Sequence, residues 1–380
     1  MPDSLKIAVS AGEPSGDSHA ARLVSEILSI DPGVKFFGMG GEKLEKEGVR
    51  VDIPMERVSV VGISEVISRI GDIYGAYRRF CRVIEDEKPD ALVVVDFPDF
   101  NFKLLKSAKK KGIPVIYYIT PQVWAWRKGR VRFLQKYVDL ALAIFPFEEP
   151  FLTGNGVNAA YVGHPILDRR YSLEPRHDFL ERMGMRKGER LVALMPGSRD
   201  SEVRSHLPTL LACAEELNRT FSSLKFVVPK APEVSRNCWE IEPPDNCRLV
   251  ENRYFEVLAY SDIGAVASGT ASLEAALFGL PSVVFYSLNP LTYFLGKKLV
   301  RLPHVSLPNI ILERGAMTEL IQADFTPDRL AGELTELLKA HDGKRRKAVE
   351  IKRELKAKLG ESGASRRAAE KIVQFLKGIR

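Results

Sequence analysis

The chain has 380 residues, of which 45% are hydrophobic and 28% charged, as is typical of soluble globular proteins; the length predicts two domains. Four dispersed cysteines without a CxxC pair and six histidines without an HxxxH pair argue against a disulfide framework and a metal site. The last 40 residues carry 13 Lys+Arg against 5 Asp+Glu, so the net charge of +7 belongs to this tail, which weakens a nucleic-acid-binding function.

The first half alternates apolar strands with helical segments. Such alternation predicts a doubly wound parallel sheet, and residues 165–190 form a predicted linker to a second half. The predicted strands of the first half span residues 5–10, 35–39, 91–95, 114–119 and 138–145. Because the first predicted strand starts at residue 5, we expect no signal peptide. The long uncharged run in the second half is interrupted by glycine and proline, so a membrane-spanning helix is not predicted.

The loop after the first strand contains Ser15, Gly16 and Asp17. Gly12 and Gly16 are four residues apart, so the loop does not match the GxGxxG fingerprint of dinucleotide-binding proteins. A nicotinamide-dependent dehydrogenase is therefore disfavoured. The loop still lies at the carboxyl end of a strand, where α/β proteins bind ligands.

A predicted helix within residues 58–82 carries apolar side chains at helical spacing, with arginines on or near the other side. One interpretation is a helix that faces the core, and the other is an apolar face that contacts lipid. The candidate lipid-facing residues are Ile63, Val66, Ile67, Ile70 and Tyr74.

Two carboxylates follow the strand at residues 91–95. Asp96 lies where the strand ends, and a carboxylate there is a candidate general base for a hydroxyl nucleophile. Asp99 is its rival, although it is also well placed to cap the next helix. After the following strand, Trp124 and Arg127 either line a sugar or acyl pocket or fill the core.

The second half repeats the pattern, with predicted strands at residues 191–195, 225–229, 248–250, 263–267 and 282–286. Ser198 and Arg199 follow the first of these strands. Gly269, Thr270 and Ser272 follow the fourth, at the predicted start of a helix. A helix start offers unpaired N–H groups to a phosphate, but the segment is also compatible with an ordinary turn between strand and helix.

Seven motifs occur in order along the chain. They are AGEPSGD (11–17), DFPDFN (96–101), PQVWAWR (121–127), VGHP (162–165), PGSR (196–199), SGTASLE (268–274) and SLPN (306–309), the last interpreted as a loop. The ordered set resembles the lipid-A-disaccharide synthase family from residue 5 to about residue 375. Pro14 stands where the family pattern has Thr, and position 165 varies, but neither residue is a proposed chemical group.

The resemblance implies the GT-B fold: two Rossmann-like, doubly wound parallel-sheet domains with an interdomain cleft, and C-terminal helices that cross back. The expected domains are residues 1–165 on the acceptor and membrane side, residues 166–340 on the UDP-sugar side, and basic helices at 341–380 that pack on the first domain. It further implies metal-independent, inverting transfer of 2,3-diacylglucosamine from its UDP derivative to 2,3-diacylglucosamine 1-phosphate, without a cofactor.

In that activity Asp96, or its rival Asp99, is the expected base. Ser15, Gly16 and Asp17 are expected beside the acceptor or the transferred sugar, with Trp124 and Arg127. The expected donor-binding residues are Ser198, Arg199, Gly269, Thr270, Ser272, Glu274 and Asn309.

Because both substrates carry acyl chains, the resemblance favours the lipid-facing interpretation of residues 63–74. The expected location is the cytoplasm, peripherally on the inner face of the inner membrane, with an anionic membrane surface as partner. A homodimer is compatible with the resemblance. The alternatives are a UDP-N-acetylglucosamine epimerase or a glycosyltransferase with a soluble acceptor, neither of which needs a lipid-facing helix, and a non-catalytic binding module, which would tolerate loss of Asp96.

Overall fold

The first sheet is built from short strands, most of which are buried and apolar. The computed structural model describes residues 4–58, 70–124, 128–287 and 303–379, and within them the strands are β1 (Lys6–Ala11), β2 (Lys35–Gly40), β3 (Arg50–Pro54), β4 (Ala91–Val95), β5 (Val115–Tyr118), β6 (Leu140–Ala143) and β7 (Ala159–Tyr161). They pair parallel in the order β3-β2-β1-β4-β5-β6-β7. Every residue of β4 is buried, as expected of a parallel strand covered on both faces.

Helices connect these strands. They are α1 (Pro14–Ile30), α2 (Glu42–Lys46), α3 (Ile70–Glu87), α4 (Pro98–Lys110), α5 (Val131–Tyr137) and α6 (Glu148–Gly154). Helix α3 packs against the core through Phe80 and Ile84, which are buried, whereas Tyr74 near its start is 58% exposed. The later part of this helix therefore faces the core, as one of the two interpretations of the sequence predicted.

The second sheet has the same construction. Its strands in the described residues are β8 (Arg190–Met195), β9 (Leu224–Lys230), β10 (Cys247–Glu251), β11 (Ile263–Ala267), β12 (Ser282–Tyr286) and β13 (Thr318–Ile321). They are parallel, in the order β10-β9-β8-β11-β12-β13. The helices that follow the first sheet are α7 (Arg176–Arg182), α8 (Asp200–Thr220), α9 (Tyr254–Tyr260), α10 (Thr270–Phe278), α11 (Leu307–Leu312), α12 (Pro327–Lys339), α13 (His341–Leu359) and α14 (Ala364–Ile379).

The two sheets belong to separate compact units. One comprises Met1–Arg169 with Leu359–Arg380, and the other comprises Arg170–Lys358. Helix α14 packs along α1, so the end of the chain lies in the first unit, while α13 lies almost entirely in the second. The two doubly wound parallel-sheet domains predicted from the sequence are confirmed.

Strand order determines where each unit can bind a ligand. Chain connections run in opposite directions from β1 and β4 in the first sheet, and from β8 and β11 in the second. At such a switch point the loops at the carboxyl ends of the two neighbouring strands diverge and leave a crevice. The loops after β1 and β4 flank it in the first unit, and the loops after β8 and β11 flank it in the second.

Candidate functional site

Asp96 occupies a strained turn at the switch point of the first sheet. It follows β4 directly, and Asp96 and Phe97 both have left-handed backbone conformations, with φ of 47° and 50°. Pro98 then begins α4. Consecutive non-glycine residues in this region cost free energy and persist only where the surroundings enforce them. The partly exposed Asp96 is thus turned away from the strand direction at the edge of the crevice.

Neighbouring side chains hold this turn. The carbonyl oxygen of Asp96 accepts hydrogen bonds from Asn101 Nδ2 at 2.7 Å and from the Tyr117 hydroxyl at 2.9 Å. Ser10 Oγ donates to Asn101 Oδ1 at 2.7 Å. Residues of β1, β5 and α4 therefore fix the backbone of Asp96. Asn101 was visible in the sequence only as the last letter of a motif, with nothing to indicate this contact.

The two candidate carboxylates have different surroundings. The side chain of Asp99 is 83% exposed and pairs with Arg130, whose Nη2 lies 2.9 Å from Asp99 Oδ1. Asp96 lies close enough to Tyr117 to raise the pKa of its buried hydroxyl, although burial is the larger cause. A largely exposed carboxylate is a weaker base candidate than one held at the crevice, so the geometry favours Asp96 over Asp99.

The three candidate site residues in the loop after β1 differ in their exposure to solvent. Ser15 is exposed and Gly16 is buried. Asp17 is only 2% exposed, and its carboxylate accepts hydrogen bonds from the backbone N–H groups of Gly41 at 2.7 Å and Lys43 at 3.1 Å. In this arrangement Asp17 anchors the start of α2, a structural task that its place in a glycine-containing loop did not indicate.

Trp124 is buried and held by a carboxylate that the sequence analysis missed. Its indole N–H donates to Glu148 Oε1 at 2.9 Å, and Glu148 Oε2 accepts from the N–H groups of Ile144 and Phe145. Burial raises the pKa of Glu148 to about 7, against the opposing effect of these hydrogen bonds. Of the two interpretations of Trp124, its burial agrees with the one in which the side chain fills the core. Arg127 lies outside the described residues.

In the second unit, the start of α10 is open. Gly269 is the N-cap with φ of 122°, and a Cβ built on it would meet no heavy atom within 4 Å. Thr270 is exposed, whereas Ser272 is buried and its hydroxyl donates to the carbonyl of Gly269 at 2.7 Å. Glu274 is buried as well, and its Oε2 accepts from the Tyr254 hydroxyl at 2.5 Å. Accessible backbone N–H groups at a helix start form a binding site for an anion.

The loop after β8 brings a cation to the same switch point. Arg199 is 60% exposed on its side chain, and its Nη1 lies 3.6 Å from Oε1 of Glu202. The N–H of Ser198 donates to Glu202 Oε2 at 3.0 Å. A carboxylate therefore occupies donors that would suit a phosphate. Glu202 is the third residue of α8, a position at which a helix-capping carboxylate is common, and the sequence offered no other signal for this contact.

Asn309 is buried with both polar atoms of its side chain used. Its Nδ2 donates to the Met317 carbonyl and to Glu319 Oε1, each at 2.8 Å, and its Oδ1 accepts from the N–H of Met317. Ser306, expected in a loop, is the N-cap of α11, so the loop expected at 306–309 is wrong: the helix begins at Leu307. The sequence analysis also missed Glu319, which binds Ser306 and Asn309 together.

Only two of the candidate lipid-facing residues lie within the described part of the chain. Ile63, Val66 and Ile67 lie outside the described residues, Ile70 begins α3, and Tyr74 is exposed. Within the described ranges, no helix is both long enough and apolar enough to span a membrane. In the same ranges, no cluster of three or more His, Cys, Asp or Glu residues could hold a metal ion.

Comparison with known proteins identifies sequence relatives over nearly the whole chain. A family model described as lipid-A-disaccharide synthetase matches residues 7–375. Proteins named lipid-A-disaccharide synthase from Anaeromyxobacter sp. (strain K) and Myxococcus xanthus (strain DK1622) are each 40% identical, over 376 and 381 residues. The first alignment covers 98% of both chains and the second covers 99% of both.

Solved structures give the fold. The crystal structure of the glycotransferase of kitacinnamycin has a TM-score of 0.65 at 18% identity and covers 98% of this chain and 99% of its own. The S. aureus MnaA-UDP co-structure has a TM-score of 0.65 at 14% identity and covers 98% and 96%. These likenesses confirm the GT-B fold class that the sequence predicted.

Proposed function

Because this chain belongs to the lipid-A-disaccharide synthetase family, we propose that it joins the sugars of UDP-2,3-diacylglucosamine and 2,3-diacylglucosamine 1-phosphate. It is a glycosyltransferase of lipid A synthesis. The 6-hydroxyl of the acceptor attacks the anomeric carbon of the donor with inversion. The products are the β-1,6-linked lipid A disaccharide 1-phosphate and UDP.

The strained turn at Asp96 is the observation that carries the proposal. As the bond between O6 and the anomeric carbon forms, the hydroxyl proton passes to the carboxylate of Asp96, and the bond to UDP breaks. A base is effective only when it is held within hydrogen-bond reach of the proton that it removes. The hydrogen bonds of Asn101 and Tyr117 to the Asp96 carbonyl support such positioning. Ser15 and Gly16 border the acceptor side in this proposal.

The second unit stabilises the departing UDP in this proposal. Charge that develops on the diphosphate meets the N–H groups at Gly269 and Thr270, the positive end of the α10 dipole, and the guanidinium of Arg199. Glu202 leaves Ser198 when the diphosphate arrives, because two anions do not share these donors. Glu274, with its Tyr254 partner, takes the ribose hydroxyls.

Other predicted donor-site residues act indirectly. Because the amide of Asn309 is already bonded to Met317 and Glu319, it holds the start of α11 rather than the ligand. Ser272 keeps Gly269 in its open conformation through the bond to the Gly269 carbonyl.

The test is UDP release from UDP-2,3-diacylglucosamine, with and without acceptor, in the presence of EDTA. We expect acceptor-dependent release by the natural protein, and a fall in kcat of about a hundredfold or more in Asp96→Asn, since general-base catalysis contributes on this scale. Asp99→Asn is the matched control and should retain turnover. Release that needs a metal, or an Asp99→Asn defect larger than that of Asp96→Asn, would contradict the mechanism.

We further propose that the protein works at the surface of an anionic membrane, on the inner face of the inner membrane, because both substrates carry acyl chains. The exposed Tyr74 at the start of α3 supports this location. The family also makes a homodimer a prediction, which analytical ultracentrifugation checks.

A further inference from the structure

A polar groove lies between α3 and α4 in the first unit, outside the proposed transfer site. Its volume is about 470 Å³, within the range of small-molecule sites. Four cations and one carboxylate line it, together with a thiol and two hydroxyls. The lining residues are Tyr77, Arg78, Cys81, Arg82, Glu85, Ser107, Lys110 and Lys111.

The charges in the groove are unbalanced. Glu85 pairs with Lys111. Within the described part of the chain, no carboxylate forms an ion pair with Arg78, Arg82 or Lys110. Arg78 and Arg82 are four residues apart on α3, so their side chains leave the same face of the helix, opposite the end of α4. Three guanidinium or ammonium groups thus converge on one opening.

The neutral wall of the groove also offers hydrogen bonds. Cys81 Sγ donates to Ser107 Oγ at 3.3 Å, and the Tyr77 hydroxyl lies beside both. Convergent cations with hydroxyl groups suit a phosphate ester that carries further hydroxyls. The groove is large enough for a complete polar headgroup.

An aromatic side chain adjoins the basic groups. Tyr74 is 58% exposed, and its ring centroid lies 6.0 Å from Cζ of Arg78. Exposed tyrosine beside arginine is typical of helices that lie at a membrane interface. A soluble phosphate would gain nothing from this exposed ring.

We propose that the groove between α3 and α4 binds the phosphate headgroup of an anionic phospholipid and so docks the first unit on the membrane. This inference rests on the proposed function, because it supplies the surface on which the acylated substrates are met. Arg78, Arg82 and Lys110 contact the phosphate, and the hydroxyls of Tyr77 and Ser107 contact the remainder of the headgroup.

The test compares two triple variants of equal charge. Arg78→Gln/Arg82→Gln/Lys110→Gln removes three cations from the groove, and Arg345→Gln/Arg346→Gln/Lys356→Gln removes three exposed cations from α13. Binding is measured by sedimentation with phosphatidylcholine vesicles that contain phosphatidylglycerol. We expect about a hundredfold loss for the groove variant, the effect of three basic residues at an anionic surface, and a much smaller loss for the control. Equal losses, or none in the groove variant, would overturn the proposal.

Cys81 provides a local probe, because it alone among the four cysteines of the sequence is not buried. Vesicles with phosphatidylglycerol should slow its alkylation, and pure phosphatidylcholine vesicles should not. Glycerol 3-phosphate at matched ionic strength is the soluble competitor. If it protects Cys81 as well as vesicles do while the groove variant still sediments, the groove is a site for soluble phosphate and the inference fails.

Turnover separates this inference from the proposed function. In micelles of an uncharged detergent the groove variant should release UDP at the rate of the natural protein, which also shows that it is folded. Failure of the natural protein to release UDP would contradict the proposed function alone. Loss of vesicle binding with turnover retained concerns the groove alone.

Discussion

At the residue scale, the central feature of the candidate site in the first unit is the backbone carbonyl of Asp96 rather than a side chain. Asp96 has a left-handed backbone conformation, and two buried donors bond to its carbonyl oxygen, so in the proposed mechanism they set the position of its carboxylate. Tyr117 supplies one of them from the neighbouring strand. In the proposed mechanism, Asn101 and Tyr117 therefore affect the rate by positioning the base.

Tyr117→Phe tests this positioning with the loss of a single oxygen. We expect kcat to fall about tenfold with little change in KM, because a misplaced base costs rate rather than binding. Tyr118→Phe is the matched control, because Tyr118 lies next in the same buried strand and its hydroxyl forms no hydrogen bond to Asp96. Equal kinetics for the two variants would show that the hydrogen bond to Asp96 has no catalytic role.

His164 makes the stability of the first unit depend on pH. Its Nδ1 accepts a hydrogen bond from the N–H of Ile166 at 3.1 Å, so this nitrogen cannot carry a proton in the folded state. Burial, with the nearby charges of His19 and Arg169, lowers the pKa of His164 to about 3 from 6.5. The unfolded chain therefore binds more protons between these values, and the free energy of unfolding falls as the pH falls below 6.5.

His164→Asn should flatten this dependence, because asparagine retains an acceptor but does not titrate. Urea unfolding between pH 7.5 and pH 5 measures the slope, to which one such group contributes up to about 1.4 kcal/mol per pH unit. The variant is expected to be less stable at pH 7.5, since the ring packs against Phe145. An unchanged slope would assign the acid sensitivity to other groups.

At the scale of elements, the proposed donor site depends on how helix α10 begins. Helix α10 starts at a glycine whose φ of 122° and ψ of −153° are almost restricted to glycine. Its opposite end is capped by Gly279, with φ of 76°. A glycine with positive φ thus flanks this helix at each end, and only the first of the two lies at the proposed diphosphate.

Gly269→Ala and Gly279→Ala separate stability from binding. Both substitutions should lower stability, by about 1 to 3 kcal/mol for Gly269→Ala and about 1 kcal/mol for Gly279→Ala. Only Gly269→Ala should also weaken UDP binding, by about tenfold, since its N–H groups would be displaced from the anion. Calorimetric titration with UDP measures this difference, and equal affinities for both variants would remove α10 from the donor site.

Elements also differed in how well the sequence revealed them. Strands of continuous apolar residues, such as β4 and β11, were predicted within a residue or two. Strands β3, β7 and β13 were missed, because they are only partly buried and carry no continuous apolar run. Helix α11 was missed because Pro308 suggests a loop, although proline is favoured in the first turn of a helix.

At the scale of the whole molecule, the last helix of the chain packs in the first unit, beside the first helix. Helix α14 packs along α1, and the carboxylate of Asp168 accepts hydrogen bonds from Gly363, Ala364 and Ser365 at its start. Asp168 caps a helix almost 200 residues away in sequence, just before the boundary at Arg169 between the two units. This carboxylate thus helps to hold the end of the chain in the first unit, together with the packing of α14 on α1.

Asp168→Ala should loosen α14 selectively. Loss of a helix cap costs about 0.5–2 kcal/mol, so amide hydrogen exchange in α14 should accelerate by up to about thirtyfold. Asp342→Ala is the matched control, since Asp342 lies in the first turn of α13 and its side chain is 98% exposed. If exchange in α14 is unchanged in Asp168→Ala, packing on α1 alone holds the helix.

The sequence by itself determined the alternation of strands and helices, hence two doubly wound parallel sheets, and the order of motifs that indicates the family. Those signals are local: burial on both faces demands apolar runs, and turns demand particular residues. Only the tertiary structure decided which loops meet at a switch point, that Asp96 is held in a left-handed turn, and that Asp17 and Asn309 are occupied within the fold. These contacts join residues far apart in the chain, and no periodicity or spacing in one sequence records which distant donor will meet which acceptor.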